Sequence, residues 1–258
     1  MLSNEFDYLD MYGDNSNMVK KFRLVIWNCA QGLQNKYSLL LDLAPDIAIV
    51  PECADQVTLS KKAPDFKFNQ MLWTGLNKNK GLGVFSFDQT KIESVAIEDN
   101  QGYLFLPVKV IGSINLNLLA VWAFNHRNPL PESSKITTAE VITKYKNFLG
   151  APASVVAGDF NHNPIWDALI PRHKFRDTLK VLAGIGMSSA YHDLTKEEFG
   201  KESAATFYWQ RKLNQPYHID YAFLTKDLKS ASQQFKIGSP DQYLCHSDHM
   251  PICLDIYY

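Results

Sequence analysis

Residues 154–164 read SVVAGDFNHNP, an apolar run of strand length that breaks at Gly158 and hands the chain to Asp159 and Asn161. The two polar side chains stand two residues apart and share one face if the segment stays extended. The same design recurs three more times. Asn28 follows LVIW at residues 24–27, Glu52 follows DIAIVP at 46–51, and Asp248 and His249 precede PICLDI at 251–256. Strand ends on one rim of a sheet sandwich converge in space however far apart they lie in sequence, so these four places predict one polar site.

Working outward, further strand candidates cover residues 81–87, 92–97, 103–110, 116–124, 206–209, 218–224 and 233–237. They are rich in β-branched and aromatic residues and bounded by turn residues. Helical spacing is found at 37–43, halted by Pro45, at 133–149 before Gly150, and at 174–182 before Gly184. Many strands with a few helices between them predict two stacked sheets with helices outside rather than one parallel sheet. The sequence holds no internal repeat or long linker, so residues 21–258 read as a single domain. Residues 1–20, with Glu5, Asp7, Asp10 and Asp14 against Lys20, read as an acidic, poorly ordered lead-in.

Composition narrows the function classes. With 46% hydrophobic and 21% charged residues, the 258-residue chain is ordinary globular material, not collagen-like, coiled-coil or wholly disordered. A formal charge of -1 argues against the strongly basic footprint of a nucleic-acid coat protein. Four cysteines without a C-x-x-C pair are too sparse for a disulfide scaffold and read as reduced thiols. No secretory leader or membrane span is read, and a cytoplasmic setting is expected.

Two carboxylates, an Asp-x-Asn and an Asp-His pair at converging strand ends suit a hard divalent cation beside a phosphate. VIWNCAQG (25–32), IVPEC (49–53), VVAGDFNHNP (155–164), YHIDYAFL (217–224) and HSDHMPICL (246–254) carry a further signal. Their order and separations resemble the motifs of the endonuclease/exonuclease/phosphatase superfamily over residues 22–257. That superfamily includes exonuclease III-like and apurinic endonucleases, deoxyribonucleases, sphingomyelinases and inositol polyphosphate 5-phosphatases. The resemblance implies an α/β fold, a four-layer α/β/β/α sandwich of two packed mixed β-sheets flanked by helices.

It also implies roles. Glu52 matches the family's metal-ligand glutamate, with Asn28 and Asp248 completing the surroundings of Mg²⁺ or Mn²⁺ and phosphate. Asp159 matches the residue that orients or deprotonates the attacking water, and Asn161 holds phosphate or nucleophile. His249 donates to a phosphate oxygen, and Asp220 fixes its ring. The reaction implied is in-line hydrolysis of a phosphodiester, with nucleic acid, DNA above all, as the expected substrate. A phosphoinositide, a sphingomyelin-like lipid or a nucleotide is the alternative, and a catalytically weakened binding module a third reading.

Two positions depart from the family pattern. Ala30 stands where many family nucleases place Asn or Asp. Trp122 stands where a His or Tyr usually meets the scissile phosphate, and its one N–H can neither accept nor transfer a proton. Asn125 and His126 are the nearby substitutes, and Tyr217, directly before the HID run, is a candidate for stacking on a base or sugar. His162 reads as a solvated loop histidine, and Arg172, His173, Lys174, Arg176 and Lys180 as a solvated face, with contact to a phosphate backbone as the alternative.

Overall fold

The computed structural model describes residues 20–96, 105–123, 136–230 and 232–258. In the first sheet the strands are β1 (Lys21–Ile26), β2 (Ile47–Cys53), β3 (Gln70–Asn77) and β4 (Lys80–Ser86). The second sheet holds β5 (Lys91–Ser94), β6 (Phe105–Ile111), β7 (Leu116–Trp122), β8 (Ser154–Asp159) and β9 (Met187–Ser189). A two-residue ribbon of β10 (Phe207–Tyr208) and β11 (Pro216–Tyr217) precedes β12 (Asp220–Thr225) of the second sheet. β13 (Ser232–Ile237) and β14 (Ile252–Tyr257) then return to the first.

The strand orders are β13-β14-β1-β2-β4-β3 and β5-β6-β7-β8-β12-β9. Each sheet has one parallel pair at its centre, β1 with β2 and β7 with β8, flanked by antiparallel strands. The C-terminal ends of a parallel pair lie on one rim, and an antiparallel neighbour begins there. β14 enters beside the end of β1, with Ile252 opposite Ile26, and β12 enters beside the end of β8, with Asp220 opposite Asp159.

Side-chain alternation sorts the apolar residues into three layers of core. Ile26, Ile49, Val84, Val108, Leu118, Val155, Leu224 and Leu254 pack between the sheets. Val25, Val50 and Phe85 face outward beneath Leu40 of α1 (Tyr37–Leu41) and Leu59 of α2 (Gln56–Lys62). On the opposite side Leu119, Val156 and Phe223 face Val141, Leu149 and Phe175. Those three come from α3 (Thr138–Lys144), α4 (Lys146–Leu149) and α5 (Phe175–Gly184). Burial on both faces is why the central strands read as unbroken apolar runs. The layers are helix, sheet, sheet, helix, the four-layer architecture the resemblance implies.

Several local expectations change. The helix expected over 133–149 is two short helices broken at Tyr145, with the first capped by Thr137, whose hydroxyl accepts from Glu140 N while the Glu140 carboxylate accepts from Thr137 N. α2, begun by an Asp55 cap, β3 and β9 are additional elements. His162 is not solvated. It is buried, stacks on Phe175 and accepts from Asn163 N, because Asn163 folds the loop inward by donating to His218 O and Tyr221 Oη. The lead-in up to residue 19 lies outside the described residues.

Gly158 is where the strand turns toward the site. Its φ is +146°, and a Cβ there would sit 1.8 Å from the Val121 carbonyl oxygen of the neighbouring parallel strand. Gly158→Ala is expected to destabilise the fold by about 3 kcal/mol or more, from the strained backbone together with the clash. A urea midpoint within error of wild type would show that β7 and β8 can separate without cost.

Candidate active site

Five chain segments meet on the rim. β1 leads into Trp27-Asn28, β2 carries Glu52 just before its end, β8 ends on Asp159 and leads to Asn161, β12 opens on Asp220, and the segment before β14 carries Asp248 and His249. Glu52 sits in a β-bulge: Pro51 pairs with Leu82 and Cys53 with Gly81, leaving Glu52 unpaired at φ +62°. A bulge of this kind re-aims one side chain out of the ladder. Asn161, at φ +49°, likewise departs from extended backbone, so it does not simply share a strand face with Asp159.

Asn28 ties the two sheets together. Its Nδ2 donates to Asp159 Oδ2 at 2.9 Å and lies 3.5 Å from Glu52 Oε1, while its Oδ1 accepts from Ala30 N. Asp159 is fully buried and also accepts from Asn161 N at 2.8 Å and Asn161 Nδ2 at 3.1 Å. Asn161 Nδ2 donates in addition to Ala123 O.

His249 lies between two buried carboxylates, with Nδ1 2.9 Å from Asp220 Oδ2 and Nε2 3.8 Å from Asp159 Oδ2. Burial disfavours the imidazolium, but the charges of Asp220 and Asp159 outweigh it and push the group up to about 10. Burial, with Asp220 close by, pushes the Asp159 carboxyl up to about 7 against the pull of His249. Asp159, Asp220 and His249 present ligand atoms close enough to share an ion. Nδ1 is nevertheless committed to Asp220, so a proton already joins these groups and the trio suits proton holding better than metal caging. The set expected from the sequence, Glu52, Asn28 and Asp248, offers oxygen donors: Glu52 Oε1 lies 3.5 Å from Asn28 Nδ2, and Asp248 directly precedes His249 in the chain. That set contains neither sulfur nor imidazole, as a hard cation requires. Asp220 Oδ1 is buried with no hydrogen-bond partner among the described residues.

The frame around these groups includes residues that motif reading passes over. Ser247 Oγ donates to Asn28 O at 2.7 Å and accepts from His249 N at 3.0 Å, stapling the end of β1 to the entry of β14. Thr206 Oγ1 accepts from both Ile219 N and Asp220 N, and Thr206 O accepts from Met250 N, so one buried residue fixes the backbones that carry Asp220 and His249. Trp27 Nε1 donates to His249 O. Only the local S-D-H spacing hinted at Ser247; Thr206 acts through contacts distant in sequence.

Trp122 ends β7 opposite Asp159, is half-buried and packs against the core between the sheets. Tyr217 stands beside Trp166 at 5.1 Å and Phe207 at 6.4 Å, and Phe207 lies 4.7 Å from the His249 ring. Tyr217 is thus joined to His249 through one intervening ring. Asn125 and His126 lie outside the described residues. The sequence could also be drawn as a zinc set of Cys245, His246, His249 and Cys253, but His249 is engaged with Asp220 and Cys253 lies within β14.

The architecture matches known structures. The endonuclease domain of TRAS1, a telomere-specific non-LTR retrotransposon, superposes with a TM-score of 0.65 at 15% identity, covering 92% of this chain and 98% of that one. The chain has the endonuclease/exonuclease/phosphatase fold. The 3′-5′ exonuclease NExo from Neisseria meningitidis shares it at a TM-score of 0.67 and 17% identity, over 92% of this chain and 100% of that one. The AP endonuclease LMAP from Leishmania major shares it at 0.69 and 12% identity, over 92% and 88%. No family model matches the sequence, and no curated protein matches it. In this endonuclease/exonuclease/phosphatase fold the rim just described is built from the C-terminal ends of both central parallel pairs.

Proposed function

We propose that the protein is a divalent-metal-dependent hydrolase of phosphodiester bonds, acting on nucleic acid and above all on DNA. The observation that carries this reading is the Asn28 bridge, which joins Glu52 of one sheet to Asp159 of the other, beside the His249–Asp220 pair. The structural neighbours add support, since by description they are an endonuclease, a 3′-5′ exonuclease and an AP endonuclease, and NExo was also captured with a product DNA hairpin.

In this reading Glu52, Asn28 and Asp248 hold Mg²⁺ or Mn²⁺, which when bound neutralises phosphate charge and polarises the P–O bond. Asp159, with a carboxyl poised near neutrality, orients the attacking water and takes its proton. Asn161 holds that water or the phosphate, using the amide that also reaches Asp159. The His249 imidazolium, kept charged by Asp220, donates to a non-bridging phosphate oxygen as negative charge builds there. Tyr217, Trp122, Asn125 and His126 complete the substrate-binding set. Residues 21–258 form one catalytic domain, and the four free cysteines fit a reducing, cytoplasmic setting. Among the described residues no helix is long and apolar enough to cross a membrane.

The test is a substrate panel of plasmid, single-stranded and abasic DNA with Mg²⁺ or Mn²⁺ against EDTA, run beside phospholipids and nucleotides. Metal-dependent DNA cleavage abolished by EDTA is expected. Turnover confined to the small phosphoesters would overturn the nucleic-acid assignment, and binding without turnover would overturn the enzyme.

A further inference from the structure

We propose that Lys80 binds the substrate phosphate, supplying from the opposite sheet the charged contact that Trp122 cannot make. This deepens the function proposed above and rests on it.

Lys80 opens β4 directly after a two-residue turn, paired with Asn77. That turn is pinned: Asp55 N donates to Lys78 O at 2.8 Å, and Asn79 N donates to Asn77 Oδ1. The next residue, Gly81, pairs with Cys53 beside the bulge that expels Glu52. A Cβ at Gly81 would meet the Trp73 ring at 2.2 Å, so the hairpin base lies tight on β3 and leaves Lys80 little freedom of position.

From this fixed base the Lys80 ammonium stands 3.2 Å from Glu52 Oε2 and 5.4 Å from the centre of the Trp122 ring. Trp122 belongs to the other sheet and is level with Asp159. The ammonium therefore lies between the proposed metal-holding glutamate of one sheet and the strand end of the other that carries the base. An indole face attracts a cation, so Trp122 acts here as a seat for the charge instead of as a hydrogen-bond partner of phosphate.

Stability does not account for this arrangement. The ammonium side chain is 39% exposed, and half-exposed Lys–Glu pairs contribute little to folding. Charge does account for it. Glu52, Asp159, Asp220 and Asp248 put four carboxylates at the rim against the His249 imidazolium, and a phosphodiester adds one more negative charge. Two other cations nearby are committed to backbone. Lys36 Nζ donates to Cys29 O and His246 O, and Arg211 donates to Cys245 O and His246 O. Lys80 has three donors, of which Glu52 engages one, so it can hold Glu52 and reach a phosphate oxygen together.

The test compares Lys80→Met, Lys80→Arg and Trp122→Leu with a control, Lys91→Met, on the exposed start of β5. Three quantities are read: KM and kcat on the DNA cleaved best in the panel, the dissociation constant for inorganic phosphate in Mg²⁺, and the Mg²⁺ activation midpoint. Lys80→Met is expected to weaken phosphate binding and raise KM about tenfold, the loss of one charge-assisted hydrogen bond. Lys80→Arg should recover most of this, Trp122→Leu should share the defect, and Lys91→Met should match wild type. Unchanged phosphate binding in Lys80→Met, with only a shifted Mg²⁺ midpoint, would make Lys80 a mere counter-ion of Glu52 and overturn the proposal. If wild type cleaves nothing in the panel, the functional reading fails, and phosphate binding by wild type against Lys80→Met still decides the role of Lys80.

Discussion

His249→Ala is expected to abolish turnover and to unfold the protein at markedly lower temperature, two effects of one cause. Asp159 and Asp220 are opposite each other in the β8–β12 ladder, 0% and 1% exposed, and His249 lies between them. Removing the imidazolium leaves two buried carboxylates facing each other without a compensating charge. Breaking a buried pair in this way costs about 3–5 kcal/mol, and for a domain of this size that lowers the midpoint by roughly 10 °C. Loss of the phosphate donor should reduce the rate at least about 100-fold in addition. The double variant Asp220→Asn/His249→Leu separates the two effects, because it removes one charge along with its partner. It should regain most of the lost stability and none of the activity. Activity in either variant within tenfold of wild type would show that His249 does not touch the reacting phosphate.

Asp159→Asn should behave differently, losing about 100- to 10,000-fold in rate while remaining folded. The amide has the same shape and can still accept from Asn28 Nδ2 or from Asn161 N, but not from all the donors that converge on the carboxylate. That mismatch is offset because a buried negative charge beside Asp220 is gone. Thermal midpoints within a few degrees of wild type are expected, together with DNA binding close to wild type in Mg²⁺. Retained activity would remove Asp159 from the role of base. A collapsed midpoint with normal residual rate per folded molecule would make it structural.

The residues brought together at the rim were legible as a set because each ends or begins an apolar strand, a pattern visible one strand at a time. The apolar runs likewise show that strands such as β2 and β8 are buried on both faces. What lay beyond reach depends on the partner strand. The bulge at Glu52 exists only against β4, and the staple from Ser247 to Asn28 joins segments from opposite ends of the chain. Lys80 carries no local signal other than the turn before it. His162 shows the opposite failure: a polar residue in a polar loop reads as solvated, and only the bonds from Asn163 to His218 and Tyr221 explain why that loop turns inward. The broken helix at 145 and the short α2 lack the length at which periodicity becomes decisive.

The place of β14 between β13 and β1 has a consequence for how the molecule comes into being. β1 and its antiparallel partner β14 are separated in sequence by the whole second sheet, with Lys21 opposite Tyr257. β1 can pair early with β2, but its other edge must wait while the whole second sheet is made. Contacts of such separation form slowly, since the chain must be closed before they stabilise it. Asn28 and His249 sit at this final closure, joined through Ser247. The candidate site is therefore complete only once β14 has docked beside β1.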